Sequence, residues 1–169
     1  HAAMFWCAAL FACHESDRAF SIMQTMLPFE RNAGITRRGQ LPVYIPNYYR
    51  GAFYQYPDKA GLSSHLFNTG TVAWYYRLLI EELAGLKGTV KGISINPKLP
   101  SHWPEMIITR KFRHCTLELT VNRDNDIPED ELWCNNERLN HFEIQNLPTY
   151  GSLSLHYKVA QKQSVQASE

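Results

Sequence analysis

The chain has 169 residues, with 17 Lys and Arg against 16 Asp and Glu and a net charge of +1. That length holds one ordinary domain or two small ones. The near balance of charge leaves no electrostatic footprint for nucleic acid or an acidic membrane, and no apolar run reaches the roughly 18–20 residues that span a bilayer.

In chain order, Ala2 to Cys13 is apolar nearly all round, which predicts a deeply buried helix. Ser16 is expected to cap a second helix, Asp17 to Leu27, with Asp17 favourable in its first turn. Pro28 stops that helix, and the two form a hairpin. From Phe29 to Phe67 no period holds. Glycines and prolines punctuate this stretch, yet Tyr44, Tyr48, Tyr49, Phe53, Tyr54 and Tyr56 argue against disorder. Asn68-Thr69-Gly70-Thr71 opens a third predicted helix, Val72 to Leu86, ended by Gly85 and Gly88.

The second half reads as short strands: Gly92 to Asn96, Met106 to Phe112, Cys115 to Asn122, Glu131 to Cys134, Phe142 to Gln145 and Ser152 to Val159. Leu117, Leu119 and Val121 alternate with Glu118 and Thr120, the mark of a half-buried strand. Asn135-Asn136 suits a hairpin turn. The expected organisation is helices over residues 1–87, a small antiparallel sandwich over 88–160, and a loose polar tail over 161–169.

The cysteines Cys7, Cys13, Cys115 and Cys134 form no CxxC pair, and the histidines show no HExxH spacing. No metal or cofactor is expected, and the thiols suit a reducing, cytoplasmic setting. The acidic run Asp124-Asn125-Asp126-Ile127-Pro128-Glu129-Asp130-Glu131 lacks an EF-hand's spacing and reads as a solvated turn. His1 is not methionine, and the apolar pattern begins at once, so the expectation is of a fragment.

The best site candidate is the start of the third helix. Unpaired N–H groups and a partial positive charge meet there, Gly70 allows close approach, and Thr69 and Thr71 add hydroxyls, a combination that can hold a phosphate or sulfate. His1 and His65 can each supply a further donor. Taken one by one, such residues are more often a cap or packing groups. Ser63-Ser64-His65 lacks the context of a hydrolase nucleophile.

Two runs resemble the C-terminal part of glycoside hydrolase family 94, the inverting β-glycoside phosphorylases. The first holds Thr69-Gly70-Thr71-Val72-Ala73-Trp74. The second holds Pro97-Lys98-Leu99-Pro100-Ser101-His102-Trp103, then Arg110-Lys111-Phe112-Arg113. Glu15-Ser16-Asp17-Arg18-Ala19-Phe20 extends the match.

The resemblance implies the end of an (α/α)6 barrel over residues 1–87, followed by an antiparallel jelly-roll-like β-sandwich over 88–160. It implies that inorganic phosphate, a substrate and not a cofactor, splits a β-linked disaccharide of the cellobiose or cellobionic acid type. The anomeric carbon inverts to give an α-sugar 1-phosphate. It assigns phosphate binding to Thr69, Gly70 and His1, and places the general acid upstream of His1. A homodimer is also implied. Arg50 stands where cellobiose phosphorylases are uncharged and is expected to contact an anionic acceptor sugar. Two other readings remain: a non-catalytic carbohydrate-binding module, and the end piece of a cyclic β-glucan synthase. Taken alone, the chain is expected to be inactive and to expose Trp6, Phe11, Leu79 and Leu83.

Overall fold

A computed structural model describes residues 1–28, 34–38, 44–63 and 70–161. The chain divides into two compact units, His1–Ile80 and Glu81–Glu169. The tail expected over 161–169 lies, beyond Gln161, outside the described residues.

In the first unit, α1 (Ala2–Ala12) packs on α2 (Ser16–Thr25), and two short helices follow, α3 (Gly34–Arg38) and α4 (Gly70–Arg77). Helix α2 begins one residue before its expected start. Glu15 occupies the cap position and Ser16 lies inside the helix. Met4, Cys7, Leu10 and Phe11 of α1 meet Ala19, Phe20 and Met23 of α2 in a buried core. The opposite side of α1 leaves Phe5 and Trp6 about half exposed, at 51% and 52%. Burial all round was expected for α1, and the structure covers only one side. Of the four residues expected to be exposed, Phe11 and Leu83 are buried, Leu79 is half-buried and Trp6 is open.

Tyr75 on α4 closes this core from another side. Its hydroxyl donates to Met23 O at 3.1 Å, and burial, then the nearby Cys7, pushes its pKa up to about 12. A folded value above the ordinary 10.0 stabilises the fold fully below pH 10, and this contribution is lost as pH rises through about 12. Thermal melts across this alkaline window are expected to show a falling midpoint, and Tyr75→Phe is expected to flatten the fall. An unchanged slope in Tyr75→Phe would assign the alkaline loss to another group.

The expected third helix ends early. After α4, Leu78–Leu83 forms a π-helical segment, and Leu86–Gly88 is already a strand, β1. Gly85, with φ +68, turns the chain between them.

The second unit holds β1 and seven more strands: β2 (Gly92–Ile95), β3 (Glu105–Phe112), β4 (Cys115–Asp124), β5 (Glu131–Cys134), β6 (Glu137–Leu139), β7 (Glu143–Gln145) and β8 (Ser152–Ala160). Six of them fall within a residue or two of their predicted positions, while β1 and β6 were not anticipated. They form a three-stranded sheet, β1-β2-β7, and a five-stranded sheet, β3-β4-β8-β5-β6. Leu117, Leu119, Val121, Leu132, Leu155 and Tyr157 are all buried. The β5–β6 turn is Asn135-Asn136, both at positive φ, 48° and 70°. This is the left-handed pair that a two-residue hairpin requires.

The expectation of an (α/α)6-barrel end followed by an antiparallel jelly-roll is not met. Among the described residues the helices are short and close no barrel, and both sheets are open. Moreover, β8 runs parallel to β4 over nine residue pairs, Thr116↔Ser152 to Asp124↔Ala160. Alternation along a strand says which face is buried. It does not say which strand is the neighbour or in which direction it runs.

The motif segments of this unit hold the fold together. Arg123 on β4 donates from Nε to Trp103 O at 3.2 Å, and from Nη2 to Leu99 O and Pro100 O at 3.0 and 2.8 Å. One guanidinium thereby gathers the carbonyls of the Pro97–Trp103 run. At the β3–β4 turn Arg113 takes φ 53 and donates to Thr89 O at 2.7 Å.

The acidic run is not a free turn. Asp130 accepts from the buried Tyr157 hydroxyl at 2.9 Å and from Ala160 N at 2.8 Å. Asp124 pairs with Lys158 at 3.0 Å, which holds its carboxyl below the usual range. No described helix is long and apolar enough to cross a membrane.

Candidate functional site

The site is built where α1 begins, in the first unit. His1 precedes the first turn of α1, and its ring lies 4.9 Å from that of Phe5, centre to centre. Phe5 in turn meets Trp74 of α4 edge-on at 5.0 Å. This aromatic contact brings the start of α1 to the start of α4, 69 residues later in the chain.

At the meeting point His1 sits directly on Gly70. A Cβ added to Gly70 would overlap the imidazole at Cε1, Nδ1 and Nε2. Glycine is therefore required here for close approach, not for a turn. The imidazole stands beside the first residue of α4, where main-chain N–H groups lack helical partners. A neutral or protonated imidazole and helix N–H groups are all donors, so the arrangement suits an anion.

Thr71 behaves differently from its sequence reading. It is fully buried, and its hydroxyl is turned to Asn47, donating to Oδ1 at 3.0 Å with Asn47 O at 3.3 Å. It is therefore not a free donor for a ligand. Asn47 O also accepts from the terminal ammonium of His1 at 2.8 Å. Asn47 carried no signal in the sequence, because one asparagine inside an aperiodic loop has none. The Arg77 guanidinium lies 5.1 Å from the Trp74 ring centre and extends the aromatic contact outward.

Of the sequence candidates, then, the structure brings His1 and Gly70 together. Thr69 and His65 lie outside the described residues.

Arg50 stands elsewhere in the unit. Its main chain is pinned on both sides, Arg50 N to Leu62 O at 2.9 Å and Gly61 N to Arg50 O at 2.8 Å. These bonds close residues 51–60 into a compact loop. Arg50 lines a cleft of about 230 Å³ with Gly51, Ala52, Tyr56, Lys59 and Ala60. A neighbouring cleft of about 460 Å³ shares Ala60 and adds Arg38, Tyr49 and Phe53. Arg38 lies 5.8 Å from the Tyr49 ring centre. Cations and aromatic rings thus line both clefts, a composition that suits a sugar bearing a negative charge.

All four cysteines are free. Among the described residues, no three His, Cys, Asp or Glu side chains gather as metal ligands do.

No protein-family profile matches the chain. Individual proteins do. The chain is 48% identical over 126 residues to the cellobionic acid phosphorylase of Neurospora crassa, covering 74% of this chain and 16% of that protein. It is 33% identical over 121 residues to a 3-O-β-D-glucopyranosyl-β-D-glucuronide phosphorylase of Paenibacillus borealis, covering 72% of this chain and 16% of that protein. The N,N'-diacetylchitobiose phosphorylase of Vibrio proteolyticus is 27% identical over 111 residues, covering 66% and 14%. The matched segment is therefore a small part of each relative's length.

Proposed function

We propose, from this chain's relationship to the glycoside phosphorylases of the family 94 type, that it is the C-terminal, phosphate-binding part of a longer phosphorylase. The observation that carries this reading is the imidazole of His1 seated on Gly70 at the N-terminus of α4. Two donors from opposite ends of the first unit converge there, as a dianion beside a reacting carbon needs. In the proposed reaction, phosphate attacks the anomeric carbon of a β-linked disaccharide and leaves as an α-sugar 1-phosphate. An acid from outside this chain protonates the departing oxygen. His1, Gly70 and Thr69 hold the phosphate.

The acceptor half of the disaccharide is proposed to carry a carboxylate. Two of the relatives are named for acidic sugars, cellobionic acid and a glucuronide. Arg50 and Lys59 line one cleft here and offer two cations to such a group. The complete enzyme is expected to turn over cellobionic acid faster than cellobiose, and Arg50→Ala is expected to narrow the difference. Equal or better turnover of cellobiose by the unaltered enzyme would end this part of the proposal.

Two measurements test the whole. The denatured mass of the natural protein is expected to be several-fold above 19.5 kDa; a mass near that value would leave the chain without its acid. In the complete enzyme, Thr69→Val is expected to raise the phosphate KM by the worth of one bond to a charged group, about 1.5–3 kcal/mol. An unchanged phosphate dependence would remove Thr69 from the site.

A further inference from the structure

We propose that the second unit carries a sugar site of its own, a cleft beside the edge strands β6 and β7 that takes an uncharged sugar. It shares no residue with the proposed phosphate site or with the Arg50 cleft, and it stands if either of those fails.

Each sheet of this unit ends on a short strand, β6 in one and β7 in the other. A cleft of about 640 Å³ lies along them, lined by Cys134, Leu139, His141, Glu143, Ile144 and Gln145. That volume falls within the range of about 300–1,000 Å³ usual for small-ligand clefts. The backbone here is well held. Ile144 pairs with Ile93 of β2, Ile95 N donates to Phe142 O at 2.8 Å, and the Phe142 ring packs on that of buried Tyr157 at 5.6 Å. Glu143 is fixed further, because the Thr89 hydroxyl donates to its Oε1 at 2.8 Å. The second carboxylate oxygen has no partner among the described residues. His141 and Gln145 are exposed, and their side chains also have none there.

The lining selects the ligand. It contains a carboxylate, a carboxamide and an imidazole, but no Lys or Arg. A phosphate or a sugar acid would meet the Glu143 charge with no cation to offset it. Sugar hydroxyls both donate and accept. The carboxylate accepts from them, the carboxamide does both, and the imidazole does either according to its tautomer. Leu139 and Ile144 supply an apolar wall for the C–H side of a sugar ring. The Arg50 cleft, with Arg50 and Lys59, has the opposite charge and suits the opposite class.

Cys134 lines the cleft and reports on its occupancy. The test uses the complete protein without phosphate, so that no sugar is consumed, and follows alkylation of Cys134 by N-ethylmaleimide through peptide masses. Burial, then Glu137, pushes this thiol's pKa up, so the reaction is run at mildly alkaline pH. Cellobiose well above its Kd is expected to slow alkylation about threefold or more, as the open fraction falls. Exposed Cys13 is expected to react as before. Cellobionic acid is expected to protect less than cellobiose. His141→Ala and Gln145→Ala alter exposed side chains, and each is expected to raise the half-protecting cellobiose concentration about 3- to 10-fold.

No slowing by cellobiose overturns the inference, as does half-protection unchanged in both variants. Equal protection by cellobionic acid overturns the uncharged class. Loss of protection in Arg50→Ala would show that the sugar acts through the other cleft. If Cys134 reacts only after unfolding, the rest of the protein covers the cleft and the site does not exist.

Discussion

Alanine at Gly85 is expected to destabilise the chain by more than about 3 kcal/mol. Two costs combine. The residue holds φ +68, where a side chain costs roughly 1–2 kcal/mol. The new Cβ would also overlap the main chain of Asn96 and Pro97, which cannot rotate aside as a side chain can. Relief would require moving Asn96, whose nitrogen donates to Gly85 O at 2.9 Å, and with it the neighbouring β1–β2 pair Leu86↔Ile95. A domain of this size has only about 5–15 kcal/mol to lose.

Gly151 provides the control. It also has positive φ, 90°, but an added Cβ there would meet nothing within 4 Å. Gly151→Ala is therefore expected to cost the backbone strain alone. Urea unfolding of the two variants checks the difference, and equal midpoints would show that the contact at Gly85 relaxes at no cost.

The second large effect is on ligand affinity. Gly70→Ala is expected to push the imidazole of His1 off the start of α4. The obstacle in this case is a side chain, and His1 is exposed, so the ring can swing away. Fold stability is thus expected to change little, while the proposed phosphate site loses one charge-assisted donor. That loss is worth about 1.5–3 kcal/mol, or a rise of roughly 10- to 150-fold in the phosphate KM. Initial rates of phosphorolysis by the complete enzyme, at varied phosphate and saturating disaccharide, measure it directly. A phosphate KM within twofold of the parent would separate His1 and Gly70 from phosphate binding. Together the two glycines show why a glycine has to be judged by its surroundings. One is required by conformation and main-chain crowding, the other only by an approaching imidazole.

Much of the local structure was readable in advance. The alternation of Leu117, Leu119 and Val121 with polar residues marked β4, and Asn135-Asn136 marked the turn after β5, because both signals come from neighbours in the chain. Strands β1 and β6 escaped because each has three residues and too short a pattern to show a period. The early end of α4 escaped because Leu78 to Leu83 keeps an apolar helical spacing whether it winds as an α- or a π-helix. The acidic run looked solvated because composition reports charge and not partners. Only the fold shows Asp130 bonded to the Tyr157 hydroxyl.

By itself, then, the sequence determined the helix and strand segments, the tight turns and the relationship to the phosphorylases. These depend on side-chain periodicity, on the few residues that accept positive φ, and on identity along the chain. Tertiary structure alone decided that β8 lies parallel to β4, that the sheets stay open, that His1 rests on Gly70, and that the Thr71 hydroxyl is turned to Asn47. Such contacts join residues tens of positions apart, and they are selected by how whole faces pack rather than by any local preference.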